Sequence, residues 1–321
     1  MDTIEQIRTA IFSAYDLQKL RIQTGNRLAI NFRAKLGGPA LKSDDEEDAE
    51  ALKVLEELRK SWRRLTDGVA RNRTLPSRRG FVGDELISDY AELALVNSYI
   101  QLERQEDASF GIIETLLEGV PIWETWLKGL RGVGPATAGV LLAYFDPHKA
   151  PNVSKFWSYA GLDVAADGRA RGRFQEHLVE RQYQNKAGAT STRMSVTYNP
   201  WLKSRLLGMV GPTFLKTGSP YRAEYDRYKH GIESDPDRIK LPEAEKQKRL
   251  KEEADPAVRA ALAKRLWSPG RIHRASMRYM VKRFLADFWE RWRKLEGLPT
   301  PDDYNETRRG RKHGEGDAEA A

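Results

Sequence analysis

Leu130-Arg131-Gly132-Val133-Gly134-Pro135-Ala136-Thr137-Ala138 is the sharpest local signal in this 321-residue chain. Two glycines two residues apart permit a tight turn and close backbone approach, and Pro135 stands where a first-turn helical proline belongs. The stretch reads as the turn of a helix-hairpin-helix. Amides exposed at such a turn can hold a phosphate, and the same hairpin can also serve purely as a packing element.

Downstream, Asn152-Val153-Ser154-Lys155-Phe156-Trp157-Ser158-Tyr159 brings aromatic side chains beside a lysine. Trp157 and Tyr159 can stack on bases, whereas Phe156 is expected in the core. The following Gly-rich stretch places Arg169, Arg171 and Arg173 at alternating positions, either as an arginine-rich RNA contact or as a solvated loop. Asn199 and Pro200 open another helix. Residues 232–263 are charged with few large apolar side chains, which predicts an exposed helical insertion, and residues 300–321 read as a disordered tail.

Upstream the periodicity is helical. Ile4, Ile7, Ile11, Ala14 and Leu17 predict a helix over 4–35, with Gly25 marking a candidate break. Ser43 and Glu46 form a capping-box signature before a helix ending near Thr66, whose stripe is Leu52, Leu55, Leu58, Trp62 and Leu65. A further helix is expected over 84–117. The last two long helices predict an antiparallel, coiled-coil-like hairpin. The fold class is mainly α, with an N-terminal helical domain over 1–120 and an all-helical domain over 121–299.

The third signal lies in residues 268–292. Ser268 and Pro269 set a helix start, and Arg271, Arg274, Arg278 and Lys282 then fall at offsets 0, 3, 7 and 11, on one narrow face at about 100° per residue. Met277, Val281, Phe284 and Phe288 line another. This predicts a helix anchored by one stripe and presenting positive charge along the other.

Fifty-four Lys and Arg against 46 Asp and Glu give a net charge of +8, and the excess is localised. Residues 128–229 hold sixteen basic and seven acidic side chains, and residues 264–294 hold ten and two. Such segregation suits a polyanion footprint, although a solvated basic surface has the same composition. With no cysteine there is no disulfide, thiolate zinc site or cysteine nucleophile. Five scattered histidines argue against a histidine-built metal site, and His273 alone stands beside a basic face. No cofactor is called for. The acids of residues 44–50 crowd a helix start, where the dipole accounts for them. No long apolar run and no basic, apolar leader is present, so neither a membrane span nor secretion is expected.

GVGPATAGVLLAYF, FWSYAGL, NPWLKSRLLG, YRAEYDRYKHG and RIHRASMRYMVKRFL, in that order, resemble the C-terminal domain of bridge-RNA-guided insertion-sequence transposases. Two features depart from that family. The N-terminal third lacks strand-borne aspartates of a DEDD nuclease, and the stretch after YAGL lacks the expected serine. With KLRIQTGNRLAINF upstream, the chain resembles the Nop-like Tas proteins of tandem interspaced guide RNA systems, specifically one without an appended nuclease. The resemblance implies a cytoplasmic protein of a bacterium or its phage, a homodimer bound to guide RNA that reaches target DNA by guide pairing, with no catalysis of its own.

The candidate RNA contacts are Lys19, Arg21 and Arg27; Gly132, Gly134, Lys155 and Trp157; Arg169, Arg171 and Arg173; and Arg271, His273, Arg274, Arg278 and Lys282. Two rival readings are a divergent transposase or recombinase using Ser191 or Ser195, and a sequence-independent duplex DNA binder acting through the hairpin amides.

Overall fold

Asp2 starts the first helix: its carboxylate accepts from the Ile4 amide at 3.2 Å, and α1 (Thr3–Arg33) runs unbroken through Gly25 to a short 3-10 turn. The computed structural model describes residues 2–37, 44–69, 75–185 and 188–300. The chain divides into two units between Glu118 and Gly119.

In the first unit α1 lies along α3 (Tyr90–Leu117), and α2 (Asp44–Thr66) packs on both. The expected two-helix hairpin is therefore a three-helix arrangement. The reason is the buried stripe of α1, Ile7, Ile11, Ala14, Leu28, Ala29 and Phe32, which α3 covers along most of its length. Leu28, Phe32, Leu55, Leu58, Trp62, Leu93, Val96 and Tyr99 form one cluster. Leu52, expected in the stripe of α2, is 66% exposed, and Val54 is buried instead. Arg59 pairs with Glu103 at 2.6 Å and donates to the Tyr99 hydroxyl at 2.7 Å, tying α2 to α3. Arg21 pairs with Glu106 and ties α1 to α3. Ser43, the expected cap of the capping box, and the C-terminal tail past residue 300 lie outside the described residues.

The third helix begins at Tyr90 rather than at residue 84, because Asp84 is occupied as a turn-holder. Its carboxylate accepts from the amides of Leu86 (3.0 Å) and Ile87 (2.8 Å), from Ser61 Oγ (2.7 Å) and from Arg64 (2.9 Å). Leu86 and Ile87 drop into the core, and Asp89 becomes the N-cap.

The second unit is mainly helical but not all-helical. After α4 (Pro121–Thr125), α5 (Pro135–Tyr144) and α6 (Val153–Tyr159), strands β1 (Val179–Gln184) and β2 (Thr190–Ser195) form an antiparallel hairpin. Its strands carry few apolar residues, so no alternation marks them in the sequence. Then follow α7 (Pro200–Arg205), a π-helical turn (Leu206–Val210), α8 (Gly211–Thr217) and α9 (Arg222–Ser234). β3 (Ile239–Lys240) pairs in parallel with β4 (Leu266–Trp267), bracketing α10 (Glu243–Glu252) and α11 (Pro256–Arg265), neither of which buries a residue. The expected insertion is exposed there, although α9 extends into it and buries Ile232.

The last element, α12 (Pro269–Leu295), is capped by Ser268 as expected and supplies the core. Met277, Val281, Phe284 and Phe288 are all buried. Phe284 meets Phe214 edge-on at 5.0 Å and stacks with Trp126 at 5.9 Å, while Phe288 packs on Phe156 at 6.0 Å. Trp289 Nε1 donates to the Ala150 carbonyl at 2.8 Å.

Two consequences can be measured. Phe284→Ala should destabilise the protein by about 3–5 kcal/mol in chemical denaturation, since it opens a cavity in a filled core. Burial alone would raise the pKa of Asp84, but its hydrogen bonds outweigh that and hold it at about 2. Its folded pKa lies below its unfolded value, so its stabilisation is present above the ordinary carboxylate range and is lost as pH falls from about 4 through 2. Asp84→Ala should reduce stability at neutral pH by about 1–3 kcal/mol, because it leaves the buried Ser61 hydroxyl unpaired. It should also flatten that part of the acid-melting curve; an unchanged curve would contradict the assignment.

Candidate nucleic-acid interface

The cationic face of α12 flanks its core stripe, and its first member does not face solvent. Arg271, expected to face phosphate, donates to the carbonyls of Ala263 (2.7 Å) and Leu266 (2.8 Å) and lies 4.1 Å over the Trp267 ring. It fastens the end of α11 to the start of α12, a role its position in the first helical turn allows and its spacing could not disclose. Arg274, Arg278 and Lys282 continue the face, Arg274 exposed and the other two half-buried.

These three do not stand on a bare helix. The α7–π–α8 segment crosses α12 closely: a Cβ on Gly211 would lie 2.3 Å from Met277 Sδ, so only glycine allows that approach. Asn199 caps α7 by accepting from the Leu202 amide at 3.0 Å, and Pro200 follows at the first turn. This fixes Lys203 toward α12. A cleft of about 620 Å³ opens between the two segments and the Arg-rich loop. Tyr198, Pro200, Leu207, Pro212 and Met277 give it apolar walls, and Arg173, Lys203, His273, Arg274 and Arg278 give it cations and a polar rim. The His273 Nδ1 and Tyr225 hydroxyl are hydrogen-bonded at 2.7 Å, which orients the imidazole.

Charge in and beside this cleft is poorly compensated. Arg278 is half-buried, and among the described residues it pairs with no carboxylate. Burial pushes its pKa down, and Arg274 pushes further. Burial likewise lowers the pKa of Lys203 and Lys282, with Arg278 adding to both. Asp163 is the carboxylate acting on the two lysines, and it is already held by Arg171 at 2.9 and 3.0 Å. The ammonium of Lys282 lies 4.2 Å over the Trp157 ring, and Lys203 lies 4.6 Å over Tyr198 while donating to the Arg171 carbonyl. Aromatic faces and one carbonyl soften the repulsion without neutralising it.

The other expected contacts divide. Trp157, expected to stack on bases, is half-buried; its Nε1 donates to the Lys282 carbonyl at 3.1 Å, so the ring is a platform for Lys282. Lys155 is exposed on the first turn of α6. Arg169 is tied to Asp167 and Glu176 and lies 4.6 Å over Phe174, and Arg171 is tied to Asp163, so in that loop Arg173 is the exposed arginine that reaches the cleft. At the hairpin turn Gly132 has φ +90°, and a Cβ there would lie 2.8 Å from Phe214, so Gly132 serves packing as well as the turn. Gly134 is exposed and caps α5. In the first unit Lys19 and Arg27 are exposed on α1, whereas Arg21 is committed to Glu106.

Lys203, Tyr198 and Pro212 are not among the contacts expected from sequence, and Pro200 is expected only as a helix start. The Asn199-Pro200 cap, with Lys203 four residues after Asn199, was the available signal, since a fixed helix start fixes where the next lysine points. Ser191 and Ser195 stand on β2 opposite Tyr183 and Val179, and among the described residues neither hydrogen-bonds a histidine or a carboxylate. Among the described residues no three His, Asp or Glu side chains form a group able to hold a metal ion, and no helix is long and apolar enough to cross a membrane.

Half-buried cations with lowered pKa values bind protons less tightly folded than unfolded. Stability should therefore rise as pH climbs from neutral into the range where Lys203 and Lys282 deprotonate, and level off above the ordinary lysine range. Lys282→Met should reduce that rise in a melting-temperature series. Arg278→Met should stabilise by about 0.5–2 kcal/mol, as replacing a half-buried charge that lacks a carboxylate partner can do; a fall of several degrees would show that the arginine is structural. Comparison with protein-family models, with curated proteins and with solved structures finds no match, so the chemistry of this cleft is what bears on its function.

Proposed function

We propose that this protein is a noncatalytic RNA-binding protein that holds a guide RNA and reaches target DNA through base pairing by that guide. The observation that carries the RNA-binding part is the convergence of Lys203, Arg278 and Lys282, half-buried and without a free carboxylate, beside Arg173 and Arg274. A polyanion supplies what the fold leaves out. Phosphates compensate the cations, and an unstacked base finds Tyr198, Pro200 and Met277 as apolar walls, which suits single-stranded or bent RNA better than a regular duplex. The guide role, the bacterial or phage setting and the absence of catalysis rest on the motif resemblance.

The protein acts as a homodimer in this reading. What supports it is the set of exposed apolar side chains on α1, Phe12, Leu20, Ile22 and Ile30, on a helix whose other face is already filled. Light scattering of the RNA-bound protein at micromolar concentration, with the RNA share of the mass resolved by absorbance, should give a protein mass twice that of the chain, and a protein mass of one chain would contradict it. Duplex binding through the hairpin amides is the weaker alternative, because Gly132 packs against Phe214.

Protein purified from cells expressing its own locus should carry RNA of defined sequence. Its binding should weaken roughly tenfold or more between 50 and 200 mM salt. Arg274→Ala with Arg278→Ala should reduce the magnitude of the salt slope by about one to two units while leaving the melting temperature at or above that of the unmodified protein. Clean protein without nucleic acid, or an unchanged slope, would overturn the proposal.

A further inference from the structure

The β1–β2 hairpin plays no part in the cleft. Every residue of β1 is exposed, and β2 is exposed or half-buried along its length. A two-stranded ribbon without a buried face is marginal as structure. Its register makes it more so. Arg181 lies directly opposite Arg193, on the same face as Val179, Tyr183, Ser191 and Ser195. Like charges at directly opposed positions destabilise a strand pair. Among the described residues neither arginine pairs with a carboxylate; Arg193 rests 5.1 Å over the Tyr183 ring instead. The opposite face pairs Glu180 with Met194, Gln182 with Thr192 and Gln184 with Thr190, so the one carboxylate of the two strands stands on the face away from the arginines.

An exposed ribbon that holds two arginines against each other is suited to a polyanion, and its shape selects which kind. The major groove of B-form DNA is about 12 Å wide and admits a two-stranded ribbon. The major groove of A-form RNA is deep and narrow and does not admit side chains in this way. We propose that β1–β2 is a DNA-docking ribbon that enters the major groove of duplex DNA, with Arg181 and Arg193 on its DNA-facing side. The site is separate from the α12 cleft, and its contact with DNA is made by protein side chains, with no need for RNA.

The test uses the full-length protein with one random 20-base-pair sequence made as DNA and as RNA, followed by fluorescence anisotropy. Arg181→Ala with Arg193→Ala should weaken DNA binding roughly tenfold or more at about 100 mM salt and lower the magnitude of the salt slope by about two units. Arg193→Glu should also weaken DNA binding, although it creates an opposite-charge pair with Arg181 and so keeps the ribbon folded, with a melting temperature no lower than that of the unmodified protein. Affinity for the RNA that co-purifies should stay within about twofold for both variants, whereas the cleft variant Arg278→Met should lose it; this separates failure of the ribbon from failure of the cleft. Unmodified protein that does not bind the DNA duplex, variants that bind it as tightly as the unmodified protein, or an equal loss on the RNA duplex would each overturn the proposal.

Discussion

Burial of Phe284 and Phe288 fixes the rotation of α12, and with it the direction of the cations on the flanking face. The two rings sit among Trp126, Phe156 and Phe214, contributed by three separate elements, so the helix cannot turn about its axis without breaking several aromatic contacts at once. Arg274, Arg278 and Lys282 are spaced over about two helical turns of that fixed face, a rise of about 12 Å. Gly211 then lets the π-helical turn and α8 approach Met277, and the Asn199 cap sets Lys203 beside Arg278. The cleft is thus a by-product of core packing in its shape, while its charge is not explained by packing at all.

That contrast is visible within the same chain. Where this sequence uses a cation to hold elements together it supplies a partner: a carboxylate, as Glu106 for Arg21, Glu103 for Arg59 and Glu92 for Lys35 at 2.6 Å, or backbone carbonyls, as those of Pro147, Ala150 and Pro299 for the buried Arg293. Arg271, deprived of a carboxylate, is given two carbonyls and an indole face. Arg278 and Lys282 receive neither a carboxylate nor a set of carbonyls, and burial lowers their pKa values as it does that of Arg271. Half-burying cations in this state disfavours the folded protein unless a ligand supplies the missing charge. The same logic applies in weaker form to the opposed arginines of the β1–β2 ribbon.

The helical class, the caps at Ser268 and Asn199, and the two-faced character of α12 were legible because each depends on local spacing alone. The pairing of α1 with α3 was not, because three apolar stripes can close in more than one way and only the buried set chooses. The helix starting at Tyr90 was misplaced for a similar reason: Asp84 looks like a cap but is taken up by Ser61 and Arg64 from another helix. The β1–β2 hairpin was invisible to periodicity, since neither of its faces is buried. In the cleft, spacing found Arg274, Arg278 and Lys282 but could not tell a free arginine from one with partners in a neighbouring loop, which is why Arg171, Arg169 and Arg271 were grouped with them.

The central claim is that RNA lies in the cleft between α12 and the α7–π–α8 segment. Ultraviolet cross-linking of the protein to its co-purified RNA, followed by mass spectrometry of the cross-linked peptides, tests it most directly. The account predicts cross-links at Tyr198 and within residues 271–282, where an unstacked base would meet the aromatic wall and the cations. Cross-links confined to other surfaces, with these peptides recovered unmodified, would contradict it.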